Sequence, residues 1–189
     1  MASRGPVVPT EKLPEGWEQT GRDEERLVAL PTMEVWGETR RYEDVALQRC
    51  LGSDHPWRLF FATRLTFRPP LAPGIGPAML MPTVWPAVRE EFLADLEERG
   101  VRATVRDRTE RIRVDTGERA SLVCLEARHG DDEAAQPPLA GFLACWPRLT
   151  DFRVAGGFYP TTLPPEADDL PTDPRTDEQT LLSLIRSVR

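Results

Sequence analysis

The sequence predicts an α+β domain: an antiparallel sheet of about six strands packed against one main helix, with a short helix at the C-terminus. Three observations carry this. Within residues 57–68 five apolar side chains share one parity and three arginines the other, residues 83–99 carry an apolar stripe at helical spacing, and residues 101–158 hold successive extended runs separated by turn residues. With 189 residues, of which 40% are hydrophobic, the chain suits one core.

Residues 1–25 are polar and bear prolines without periodicity, and they read as a flexible tail ahead of a domain at 26–160. Leu27 to Trp36 is apolar apart from Thr32 and Glu34 and contains one proline, which suits an edge strand. Tyr42 to Leu51 reads as a short helix stopped by Gly52. In the next strand Trp57, Leu59, Phe61, Leu65 and Phe67 share one parity, while Arg58, Arg64 and Arg68 share the other. One face of that strand is expected in the core and the other in water.

From Pro69 to Val88 the chain runs twenty residues without a charge, the length of a membrane span, but it contains six prolines. Each interior proline removes a helix hydrogen bond, and lipid offers no water to replace it. The stretch therefore reads as a long apolar loop, 69–86, and not as a transmembrane segment. Thr83 then caps a helix whose stripe is Trp85, Val88, Phe92 and Leu96, with Gly100 as its stop.

Beyond it, Val101, Ala103 and Val105 face one way and Ile112 and Val114 the opposite parity, which requires a turn or bulge between 107 and 110. Asp115-Thr116-Gly117-Glu118 is a tight hairpin connection. Residues 120–128, 139–146 and 152–158 complete an antiparallel meander. Residues 161–175 are rich in proline and acid and read as a linker, and 176–189 as an amphipathic helix with Leu181, Leu184, Ile185 and Val188 on one side. That helix needs a surface, either on its own chain or on a second copy in a homo-oligomer.

Composition narrows the function. Twenty-four basic residues against thirty-one acidic ones give a net charge of −7, which repels phosphate backbones, so nucleic acid is excluded as a first partner. Lys12 is the only lysine, asparagine is absent, and isoleucine occurs only at 75, 112 and 185, the signature of a GC-rich genome; the acidic balance suits a saline cytoplasm. Cysteines at 50, 124 and 145 form neither a disulfide framework nor a CxxC metal site. The proline-bearing, charged N-terminus does not read as a secretory signal, so a cytoplasmic location is expected.

No motif assigns a catalytic residue, a cofactor or a metal. Ser53-Asp54-His55 places triad residue types in succession, but adjacent side chains in a loop diverge and the segment reads as a turn. Gly74-Ile75-Gly76 and Gly156-Gly157 lack a phosphate-loop register and read as turn residues. A ligand or partner surface is expected from Leu71, Ile75, Met79, Met81 and Trp85 of the apolar loop, together with Arg58, Arg64 and Arg68 on the adjoining sheet face. If that strand lay beside the hairpin carrying Arg102, Arg106, Arg108, Arg111 and Arg113, the arginines would form an anion site. The expected function is a non-enzymatic cytoplasmic module that binds a protein partner or a small apolar or anionic ligand. The alternative is a small enzyme using Cys124 with His129, or the arginine surface. A four-residue metal site from Cys50, His55, Cys124 and His129 is not required by their spacing.

The segments PWRLFFATRLTFRPPLAPGIGPAM, FLADLEERGV and RIRVDTGERASL resemble a family of uncharacterised proteins from haloarchaea over about residues 25–160. The resemblance implies a halophilic, acidic protein and carries over no activity, cofactor or site residue.

Overall fold

Seven strands, not six, make one antiparallel sheet in the computed structural model, which describes residues 5–30, 33–130, 137–162 and 173–189. The elements are β1 (Trp17–Leu30), β2 (Met33–Asp44), α1 (Val45–Cys50), β3 (Leu59–Arg68), α2 (Pro77–Glu98), β4 (Val101–Arg113), β5 (Arg119–His129), β6 (Leu139–Pro147), β7 (Phe152–Pro160) and α3 (Pro174–Ser187). The sheet order is β1-β2-β3-β7-β6-β5-β4. The expected meander is the run β4 to β7, and the irregularity expected near 107–110 is a register shift between Val105 and Thr109. Gly117 makes the β4–β5 turn at a φ of 99°, the left-handed region that glycine enters without strain.

The additional strand is β1. Its residues 17–25 lie in the segment read as a tail, because a run such as Glu-Gln-Thr-Gly-Arg-Asp-Glu-Glu has no apolar alternation. Pairing with β2 holds it, and charge suits an edge strand, since charged side chains discourage a further strand from adding. The segment 27–36, expected as one edge strand, is instead the end of β1 and the start of β2; Pro31 and Thr32 lie outside the described residues. The 161–175 linker falls mostly outside them too, and α3 begins at Pro174, inside the expected linker.

The main helix is longer than its apolar stripe suggested. It starts at Pro77 and includes Pro82 and Pro86, so only 69–76 of the expected 69–86 loop is loop. Ala78, Pro82, Pro86 and Glu90 are all exposed, four residues apart. The carbonyls that the two prolines leave without a helix donor, those of Ala78 and Pro82, therefore face water, which satisfies them as lipid could not. No helix among the described residues is long and apolar enough to cross a membrane.

The central strands are covered on both faces, against the expectation of one wet face for β3. On one side Leu59, Phe61, Leu65, Phe67, Val154 and Phe158 form a core with Val84 and Leu96 of α2. On the other Phe60, Ala62, Phe142, Trp146 and Ala155 pack against Leu181, Leu184, Ile185 and Val188, at most 3% exposed. Strand β7 is buried at every position, so it shows no alternation. Its Gly156 and Gly157 are central strand residues and not a turn: a Cβ on Gly157 would lie 2.0 Å from the Leu59 carbonyl oxygen.

The α3 helix is fastened at both ends. At its start the Arg58 guanidinium donates to Asp177 Oδ2 from Nε and Nη2 (3.1 and 3.0 Å) and to Asp44 Oδ2 from Nη1 (2.8 Å). Asp44 also caps α1 by accepting from the Leu47 amide at 2.9 Å. Beyond its end, Arg189 and Val7 exchange two backbone hydrogen bonds of 2.9 Å, which ties the C-terminus to the segment before β1.

Candidate functional site

One groove among the described residues follows from an unequal covering of the α2 face. The helix backbone lies closest to β4 and β6 and reaches β3 through side chains such as Phe92, so the β1–β3 half of that face is covered less closely. A groove of about 860 Å³ runs between the C-terminal half of α2 and these strands. Its floor is apolar: Leu59, Phe61 and Leu65 of β3 with Val154 and Phe158 of β7, and Phe92 of α2 stacks on Phe61 at 5.2 Å.

The rim is acidic. Seven carboxylates line the groove against three guanidiniums and two imidazoles. Asp23, Glu24 and Glu25 come from β1 and Glu43 from β2, while Glu91, Asp95 and Glu98 rise from α2 at offsets of four and three that share a helix face. The three guanidiniums are all engaged: Arg22 with Glu38 at 2.9 Å, Arg41 with Asp23 at 3.3 Å, and Arg99 with Asp95 at 2.9 Å. Glu25, Glu43, Glu91 and Glu98 make no ion pair among the described residues. The field over the apolar floor is therefore negative.

One end of the groove is closed by both histidines of the chain. The His55 ring stacks on His129 at 5.3 Å, with Trp57 and Phe158 presenting edges to His129 at 6.0 and 5.9 Å. His129 Nε2 lies 3.1 Å from the Pro56 carbonyl oxygen; a carbonyl only accepts, so Nε2 carries the proton. Nδ1 is buried without a partner. Burial lowers the His129 pKa below the usual imidazole range, the Pro56 carbonyl works against that, and the nearby His55 adds to it. The ring shapes this end of the groove, and burial favours its neutral form.

The other expected constellations are not formed. Cys124 and His129 sit five apart on β5, an odd spacing, so they project to opposite faces: His129 meets the α2-side core and Cys124 the α3 side. Cys50 is exposed on α1 and Cys145 fully buried, its thiol pushed up by burial, so the four-residue metal set is not gathered. Ser53 and His55 make a local turn in which Ser53 Oγ contacts the His55 backbone N and O at 3.1 Å. Three strands separate β3 from β4, so their arginines do not form one surface.

The residues expected to form a ligand surface disperse as well. Arg58 is held under α3 by its two aspartates, Arg64 Nε donates to Asp151 at 2.8 Å, and Arg68 pairs with Glu24 at 2.6 Å over the Trp36 ring. Leu71, Met81 and Trp85 pack against the α2-side core, while Ile75 and Met79 stay 43% and 68% exposed. The groove lies further along α2. The acidic side of that helix was visible in the sequence, but the β1 carboxylates were hidden in a segment read as a tail. Nothing in the sequence links His55 to His129.

Residues 5–189 match a family model described as Domain of unknown function (DUF6517). No curated protein matches the chain.

Proposed function

The chain belongs to the DUF6517 family, and we propose that it is a non-enzymatic binding module whose ligand, an apolar cation, sits in the groove between α2 and β1–β3. The observation that supports this reading is the pairing of an apolar floor with a rim of seven carboxylates and only three guanidiniums, each already engaged. Burial of a ligand's apolar body supplies affinity, and the rim selects the sign of its charge. The same field turns anions away from this groove, so the ligand proposed here is apolar and cationic, in place of the apolar or anionic one expected from the sequence. The acidic balance and the single lysine support a saline cytoplasm in a haloarchaeon as its setting.

Fluorescence anisotropy with two dyes of opposite charge tests the reading. Rhodamine 6G, apolar and cationic, should bind saturably, and 8-anilinonaphthalene-1-sulfonate should not. Replacing Glu91 and Glu98 by glutamine should weaken rhodamine binding about fivefold, the equivalent of about 1 kcal/mol. Equal binding of both dyes, or rhodamine binding unmoved by the double substitution, would sink the proposal.

A further inference from the structure

The rim of the α2 groove carries more negative charge than one cation neutralises. Glu91 and Glu98 of α2 line one wall, with Glu25 of β1 and Glu43 of β2 on the other, each without an ion pair among the described residues. A single positive charge in the groove leaves most of them uncompensated, so the rim selects for the number of charges on a ligand as well as for their sign.

The spacing on α2 says how those charges should be arranged. Glu91 and Glu98 stand seven residues apart, two turns of one helix, which places their backbones about 10.5 Å apart along the same face. Asp95 lies between them and is taken by Arg99 at 2.9 Å. The two open carboxylates are therefore separate poles and not one cluster. Beside them runs the apolar stripe Val88, Phe92 and Leu96, which also lines the groove and covers about 12 Å of the helix. Phe92 stacks on Phe61 of the floor at 5.2 Å. A strip of apolar surface with two negative poles along it is complementary to a methylene chain that carries two ammoniums. We infer, on the basis of the apolar-cation reading of this groove, that its ligand is a linear aliphatic diamine or polyamine, laid along α2 with its methylenes on Val88, Phe92 and Phe61 and its ammoniums at Glu91 and Glu98.

The chain's own Arg99 shows how the rim treats a cation. Hydrogen bonding to Asp95 raises the Arg99 pKa, burial works against that, and Asp23 and Glu25 of β1 add to the rise. A positive charge beside α2 thus feels carboxylates from both walls at once. A primary ammonium also suits these acceptors, since it brings three N–H donors to a group that only accepts. Glu91 and Glu98 are both exposed, so each contact alone is weak and the preference comes from making two together.

Titration calorimetry with amines of one chain length separates charge number from apolar surface. In about 0.1 M KCl, where the screening length is about 10 Å, 1,8-diaminooctane should bind about fivefold more tightly than octylamine, although octylamine is the more apolar. 1,4-Diaminobutane, too short to reach both carboxylates, should lose that advantage. Glu91→Gln and Glu98→Gln should each weaken 1,8-diaminooctane about fivefold and octylamine less than about twofold, because a monoamine keeps the other carboxylate. A general loss of groove structure would weaken both amines alike, and either variant that keeps the wild-type Tm carries the test. Octylamine binding as tightly as 1,8-diaminooctane while rhodamine 6G still binds would overturn this inference and leave the apolar-cation reading in place. Absence of binding heat from either amine would overturn it as well, and rhodamine 6G then decides the broader reading by itself.

Discussion

Leu184→Ala tests how the C-terminal helix is used. Leu184 is 0% exposed and packs with Phe60, Trp146 and Ala155 of the sheet, and its neighbour Ile185 is equally buried. Truncating a leucine at such a site removes its transfer free energy and leaves a cavity, together about 3 kcal/mol within a usual range of about 2–5. For 189 residues the unfolding entropy near the midpoint is about 0.4 kcal/mol per degree, so Tm should fall by about 8 °C. Leu149→Ala is the control, because that leucine is 92% exposed and its truncation should cost under about 0.5 kcal/mol. Urea unfolding followed by circular dichroism gives the free energies. A helix docked on its own chain also makes the midpoint independent of protein concentration. Equal stabilities for Leu184→Ala and wild type, or a midpoint that rises with concentration, would refute the reasoning.

Arg58→Met leaves Asp44 and Asp177 buried together without their cation and should cost about 3 kcal/mol by urea unfolding at pH 7. The loss should shrink toward pH 4, because burial already raises the Asp177 pKa and the carboxyl can then take up a proton; a loss constant across that range would count against the account. Burial lowers the His129 pKa, so the unfolded state binds a proton first as pH falls through about 6.5, and stability should decline from there downward. His129→Phe, which keeps the ring contacts, should flatten the wild-type decline of Tm between about pH 7 and pH 5; an unchanged slope would show that another group governs it. Thermal stability should rise from low to molar KCl as salt screens repulsion within a chain of net charge −7, and a flat profile would reduce the habitat argument to codon usage.

The elements that sequence reading found are those whose side chains report their own surroundings. β3 was legible from Leu59, Phe61, Leu65 and Phe67 on one parity, although Phe60 and Ala62 are buried on the other, and the shift in parity between Val105 and Ile112 located the β4 bulge correctly. Leu181, Leu184, Ile185 and Val188 identified α3 as a helix needing a surface. Two of the misread segments fail for one shared reason: β1 and the first turns of α2 are stabilised by partners. β1 has no apolar pattern because pairing with β2 holds it, and Pro82 and Pro86 are tolerated because packing of Leu80, Met81, Val84 and Trp85 outweighs two hydrogen bonds lost on the wet side.

The sequence by itself determined the α+β class, the meander, the acidic charge and the amphipathic C-terminal helix, since each depends on composition or on spacings within one element. The tertiary structure alone decided where the groove lies and what lines it. Strand order put three strands between β3 and β4 and so divided the arginines, while the odd spacing of Cys124 and His129 became a separation across the sheet once both lay on one strand, β5. The stacking of His55 on His129 joins residues far apart in the chain, and the acidic rim combines β1 with α2. Such juxtapositions are set by which strands pair and which half of the sheet one helix can cover, quantities that no local pattern of residues encodes.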